Sequence, residues 1–249
     1  MKSLVKRAVS GLRPQTSRYQ NRVLPAKHLR LCGQDFKSDE YFLDSARAEA
    51  DRLIRRLGMT ADSRVMDLGC GYGRLPIGIL ERIGEIRRYQ GIDVMKRAID
   101  WCNRYIHRQH PNFLFLHTDV SNRRYNPAGE EITSRFQLPF EAQSFDLIYL
   151  YSVFSHMEAP DVRIYLKEFH RLLPASGKVF LTAFVEENVP DATVNPEGYR
   201  GHKWSNALHC VRFNKNYFES LLQEHGFRVE HFLYEQETHG QSAYYLARV

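Results

Sequence analysis

No run in this 249-residue chain approaches ~18 consecutive apolar residues, so there is no candidate membrane span. The four cysteines, Cys32, Cys70, Cys102 and Cys210, lie far apart and form no CxxC pair. That spacing speaks against a disulfide framework or a zinc site. With no signal peptide apparent, it favours free thiols in the reducing cytoplasm. The histidines fall into neither an HxH nor an HExxH pattern, and so suggest no metal centre. There is no GK[ST] phosphate-binding signature, no internal repeat and no low-complexity tract.

Acidic residues are missing from one region. Residues 1–34 hold eight of the 35 lysines and arginines and no acid, so the remainder carries 27 basic and 29 acidic residues. The formal charge of +6 therefore belongs to an arm, and the body lacks the basic footprint that a nucleic-acid partner ordinarily requires. Three readings of the arm stand: a solvated extension, a peripheral contact with an anionic surface, and an organelle-targeting presequence. The boundary is drawn at residues 1–36 for the arm and 37–249 for the body. With 43% hydrophobic and 26% charged residues, the chain is long enough for one large, well-buried domain.

The body alternates helical and extended patterns. Leu43, Ala46, Ala50, Leu53, Ile54 and Leu57 recur at helical spacing and are followed by Gly58. "RVMDLG", "YQGIDV", "NFLFLHTDV", "FDLIYLY" and "GKVFLTAFV" then read as strands with helices between them. The stretch from about Glu186 to Phe213, which contains Pro190, Pro196, Gly198 and Gly201, reads as an irregular connection. Two last runs, "FRVEHFLYE" and "SAYYLARV", are too close for a helical crossover and should form an antiparallel hairpin. The expectation is an α/β, Rossmann-like, seven-stranded and mostly parallel sheet with helices on both faces.

Within that frame "VMDLGCGYGRL" places Asp67 at a strand end and glycines at 69, 71 and 73. Ligands of open α/β sheets bind beyond the carboxyl ends of the strands. Asp93 ends the second strand 20 residues after Gly73, a separation suited to ribose hydroxyls. Asp119 ends the third and could accept from an adenine amino group. The run does not have the GxGxxG spacing of a dinucleotide fingerprint, and Leu75, six positions after Gly69, is not glycine. An acid at the mouth of the loop suits a cationic amino group better than a pyrophosphate. S-adenosylmethionine has such an amino group and no phosphate.

Together "VMDLGCGYGRL", "GIDV", "HTDV", "SFDLIYLYSVFSHM" and "LKEFHRLLPASGKVFLT" resemble the class I S-adenosylmethionine-dependent methyltransferases over roughly Val65 to Val185. The resemblance implies that Asp67, Gly69, Gly71 and Gly73 hold the methionine portion, with Arg74 at its carboxylate. It implies that Asp93, with Val94, binds the ribose, and that Asp119 and Val120 contact the adenine. Leu150 and Tyr151 would pass the methyl donor.

For the acceptor, His156 follows the fourth strand and is a candidate general base for a hydroxyl. Tyr199, His202 and Trp204, in the long connection, are candidate substrate contacts, with His209 nearby. The fourth strand lacks the [Asn/Asp]-Pro-Pro-aromatic signature of amino-group methylation. A small-molecule or sugar hydroxyl acceptor is therefore expected. The alternatives are a non-catalytic S-adenosylmethionine-binding or scaffolding protein, and a methyltransferase with a protein or amine acceptor.

Overall fold

The computed structural model describes residues 14–249, so the first thirteen residues of the basic arm lie outside the described residues. Residues 14–38 begin with a hairpin of β1 (Thr16–Tyr19) and β2 (Arg22–Pro25), followed by single helical turns at Lys27–Leu29 and Asp35–Lys37. Arg30 organises this segment from within. Its guanidinium donates to the carbonyls of Pro25, Phe36, Lys37 and Ser38 and to Ser17 Oγ, and it pairs with Asp39. Helix α1 (Asp39–Leu57) follows, with Ser38 Oγ accepting from the Tyr41 N–H at its start and left-handed Gly58 at its end.

The central sheet then forms in the expected sequence. Its strands are β3 (Arg64–Leu68), β4 (Arg88–Asp93), β5 (Phe113–His117), β6 (Leu147–Leu150) and β7 (Lys178–Glu186). Two short strands, β8 (Ala192–Val194) and β9 (Val211–Asn214), precede the final pair, β10 (Phe227–Glu237) and β11 (Gln241–Arg248). Seven of these lie in the order β10-β11-β7-β6-β3-β4-β5. Five of them, β7, β6, β3, β4 and β5, are parallel, and β11 runs antiparallel to both β7 and β10. The stretch read as irregular contains β8 and β9, with β9 parallel to the last residues of β7. Runs of three and four residues are too short to show a period-2 pattern in sequence.

Helices cover both faces, and alternation along the strands assigns them. Val65, Leu147, Tyr149, Phe180 and Tyr245 pack in one core with α1, α2 (Arg74–Arg82) and α3 (Lys96–Cys102). Met66, Ile148, Leu150, Leu181 and Tyr244 pack in the other, with α4 (Ala159–Leu172) and α5 (Lys215–Glu224). Strands buried on both sides read as continuous apolar runs, which is why they were legible. The α1–α2 crossing is tight at Gly78, where a Cβ would lie 1.9 Å from the Ala46 carbonyl oxygen. Among the described residues, no helix is long and apolar enough to cross a membrane.

Candidate functional site

The strand order reverses between β3 and β6, and the site opens there, beyond the carboxyl ends of the strands. After β3 the chain turns back sharply, and the Gly69 and Cys70 N–H groups both donate to the Ile92 carbonyl, at 2.8 and 3.1 Å. Gly69 has a φ of +78°, and a Cβ there would lie 2.5 Å from Val153 Cγ2. Backbone conformation and space both demand glycine at this position. Asp93 fastens the loop to β4, its Oδ2 accepting from the Gly71 N–H and its Oδ1 from the Met95 N–H, both at 2.8 Å. Burial raises its pKa, while those two N–H groups pull it back. A carboxylate oxygen accepts more than one hydrogen bond, so both oxygens keep capacity toward the cavity that Asp93 lines.

A small recess of about 60 Å³ lies on the α1–α2 side of the loop. Asp67 is buried there and accepts from the Tyr89 hydroxyl. Burial pushes its pKa up to about 7, against the opposing pull of Tyr89 and Arg74. The Arg74 guanidinium lies 4.3 Å from the Tyr151 ring centre and 5.2 Å from that of Phe36. It is also 3.8 Å from Glu49 Oε1, whose other oxygen accepts from the Tyr149 hydroxyl at 2.8 Å. Leu31 and Cys32, delivered by the Arg30-anchored segment, wall both this recess and the larger cavity beside it. An acid, a cation and exposed loop backbone suit the ammonium and carboxylate of an amino acid.

The larger cavity, about 430 Å³, runs from Asp93 and Val120 past Tyr151 and Val153 to His156 and Trp204. The turn after β6 is fixed by a polar chain. The Ser152 N–H donates to Thr182 Oγ1, which donates to Gln241 Oε1, and Gln241 Nε2 donates to Ser152 Oγ. That turn leads directly to His156. Its Nδ1 lies 2.9 Å from the Leu208 carbonyl oxygen, which can only accept, so Nδ1 carries the proton and Nε2 is the acceptor. Burial drives the His156 pKa down to about 4, with Arg124 and His209 acting in the same direction and the Leu208 bond against.

Comparison with known proteins agrees with this geometry. Residues 65–177 match a family described as "Methyltransferase domain". That stretch is similar to the class I S-adenosylmethionine-dependent methyltransferases. The demethylmenaquinone methyltransferase of Lactobacillus johnsonii is 25% identical over 148 residues, 59% of this chain and 54% of that protein. The chain thus spans about half the length of the curated relative it matches. A methyltransferase solved with the Haloferax volcanii Trm112 methyltransferase activator superposes with a TM-score of 0.60 at 17% identity, over 84% of this chain and 93% of that one. The geranyl diphosphate C-methyltransferase of Streptomyces coelicolor, solved with S-adenosyl-L-homocysteine, gives 0.60 at 13% identity, over 87% and 82% of the two chains. At these identities the superpositions speak for the fold.

The fold gathers most of the residues singled out in sequence, but not all. Asp67, Gly69, Gly71 and Arg74 line the small recess; Gly69, Asp93, Val94, Val120, His156, His202 and Trp204 line the larger cavity; Tyr151 lines both. Gly73 caps α2 and faces Ile106, and Leu150 lies in the core beneath the site. Asp119 departs from the expected adenine contact. Its exposed carboxylate accepts from Asn126 Nδ2 at 2.9 Å, and Thr118, Val120 and Ser121 form the cavity wall instead. Tyr199 stands behind the wall, its carbonyl accepting from Trp204 Nε1 and its hydroxyl donating to Glu186. Glu49, Cys32, Asn122, Arg124 and Asp161 were not anticipated. Glu49 sits among helical charges, and the others lie in or next to connections with no motif to mark them.

Proposed function

We propose that the chain transfers a methyl group from S-adenosylmethionine to the hydroxyl of a small-molecule or sugar acceptor. The observation that carries this reading is a single cavity joining Asp93 to His156 Nε2, with the Asp67–Arg74 recess opening beside it. The donor supplies an electrophilic methyl group on a sulfonium, for in-line displacement. Asp67 and Arg74 would hold its ammonium and carboxylate, and Asp93 its ribose hydroxyls.

On the acceptor side, His156 works as a neutral imidazole. A pKa of about 4 makes it a weak base, poorly suited to removing a hydroxyl proton in advance. Nε2 instead accepts a hydrogen bond from the hydroxyl and aims an oxygen lone pair at the methyl group. The oxygen's proton becomes strongly acidic only as the new C–O bond forms. At that stage even a weakly basic imidazole takes it. Trp204, His202 and Tyr151 help keep water from the reacting atoms.

The test is incubation of the protein with methyl-labelled donor and a metabolite extract, followed by mass identification of the product. A labelled methyl ether together with S-adenosylhomocysteine is expected. Donor binding without turnover on any fraction would favour a binding or scaffolding role, and a labelled amine would overturn the hydroxyl assignment.

A further inference from the structure

Arg124 is a cation with no carboxylate partner in the wall of the acceptor cavity; its side-chain hydrogen bond is to Tyr125. Its Nε is buried and makes no hydrogen bond, and among the described residues no carboxylate lies within ion-pair distance of its guanidinium. It lies against Tyr125, 5.3 Å from the ring centre, and Tyr125 in turn meets the His156 ring edge-on at 5.5 Å. Arg124 is half-buried, with its Nε shielded from water, and a partly shielded cation without a counter-charge favours an anion beside it. The neighbouring groups do not supply one. His156, His202, His209, His239 and Tyr125 are the other titratable side chains at this end, with Lys203 a second cation at the rim, and burial and the charge of Arg124 both disfavour protonation of His209.

The position of Arg124 is fixed relative to His156. Asn122 Nδ2 donates to the His156 carbonyl at 3.0 Å, while its Oδ1 accepts from the Arg124 and Tyr125 N–H groups at 3.0 and 3.1 Å. One side chain therefore ties the turn carrying Arg124 to the turn carrying His156. Of the cavity's two acids, Asp93 is engaged by the Gly71 and Met95 N–H groups, and Asp161 belongs to a different electrostatic neighbourhood. Burial, Glu158 and Glu131 raise its pKa, and Arg124 is not among the charges acting on it. Aromatic and apolar side chains, among them Tyr165, Met157, Ile132 and Trp204, make up much of the remaining wall.

We infer that the methyl acceptor carries an anionic group, a carboxylate or a phosphate, which Arg124 and Lys203 bind while its hydroxyl meets His156 Nε2. This deepens the methyl-transfer reading and rests on it. Anion binding at a fixed offset from Nε2 would select both the molecule and the hydroxyl that is methylated. Arg124 is in this sense a specificity residue.

The experiment measures binding by calorimetry to the S-adenosylhomocysteine-loaded protein. Three ring probes are compared: 4-hydroxybenzoate, 4-hydroxyphenyl phosphate and the neutral 4-hydroxybenzamide. At least one anionic probe is expected to bind about 10- to 100-fold more tightly than the amide, the scale of charge-assisted hydrogen bonds. Which anion wins separates a carboxylate site from a phosphate site. Arg124→Gln should abolish the preference with S-adenosylhomocysteine affinity unchanged, and Arg124→Lys should retain part of it. Equal binding of all three probes, binding of none, or a preference that survives Arg124→Gln would overturn the inference. Failure of S-adenosylhomocysteine to bind the wild type would instead sink the methyl-transfer reading, and the two failures are thereby distinguishable.

Discussion

Replacing Asp67 by Asn tests the donor recess most directly, because the side chain is buried and its pKa is pushed up to about 7. An unfolded aspartate titrates near ~3.9, so between the two values the folded protein binds more protons than the unfolded chain. The stabilisation is fully present below about pH 4 and is lost as pH rises through about 7. A shift of this size corresponds to about 4 kcal/mol at 1.36 kcal/mol per unit, of which roughly 2.5 kcal/mol falls between pH 5 and 8. Asn preserves the shape and still accepts from the Tyr89 hydroxyl, but does not titrate. Urea unfolding should therefore show the wild type losing roughly 2.5 kcal/mol relative to D67N across that interval. Donor binding supplies the functional counterpart. If the ionised carboxylate holds the ammonium, wild-type affinity should weaken roughly 25-fold from pH 7.5 to 5.5, following the ionised fraction. D67N should bind weakly and without that slope. Parallel stability profiles, together with pH-independent wild-type affinity, would refute the placement of Asp67.

Three further outcomes follow from named contacts. Asp93→Asn puts an amide N–H where an acceptor faced either Gly71 or Met95. Donor affinity should fall about 10- to 100-fold with a stability loss of about 1–3 kcal/mol, and unchanged calorimetric affinity would show that Asp93 does not face the ribose. His156→Ala should lower kcat by at least about 10²-fold with little change in donor affinity. At saturating donor the wild-type kcat should stay level from pH 7.5 to 5.5, since His156 is neutral down to about 4; an inflection near ~6.5 that the variant removes would contradict this environment. Arg30→Met strips a buried guanidinium from Asp39 and four carbonyls and should cost about 3–5 kcal/mol by urea unfolding, with weaker donor binding as the Leu31–Cys32 wall loosens. A loss below about 1 kcal/mol would show that the segment is held by its apolar contacts alone.

The amino-acid sequence by itself determined the parallel core and the glycine loop. β3, β4, β6 and β7 are buried on both faces and so appear as apolar runs between helical patterns. The chemistry of Asp67, Gly69 and Asp93 is local, depending on a strand end, a sharp turn and the start of the next connection. Only the tertiary structure decided what surrounds those residues. Glu49 reaches Tyr149, 100 positions away in sequence, and Arg30 looks like one more charge of a basic arm until its six acceptors converge on it. Asp119 lies two residues beyond the end of β5, exposed, with its carboxylate accepting from Asn126. His156 follows the fourth strand and lines the cavity, and burial there, beside the Leu208 carbonyl, lowers its pKa to about 4. Arg124 carried no signal in sequence, because an arginine's worth depends on whether a carboxylate is near it. Strand and loop identities follow from neighbours in the chain, whereas desolvation and pairing of charge follow from neighbours in space.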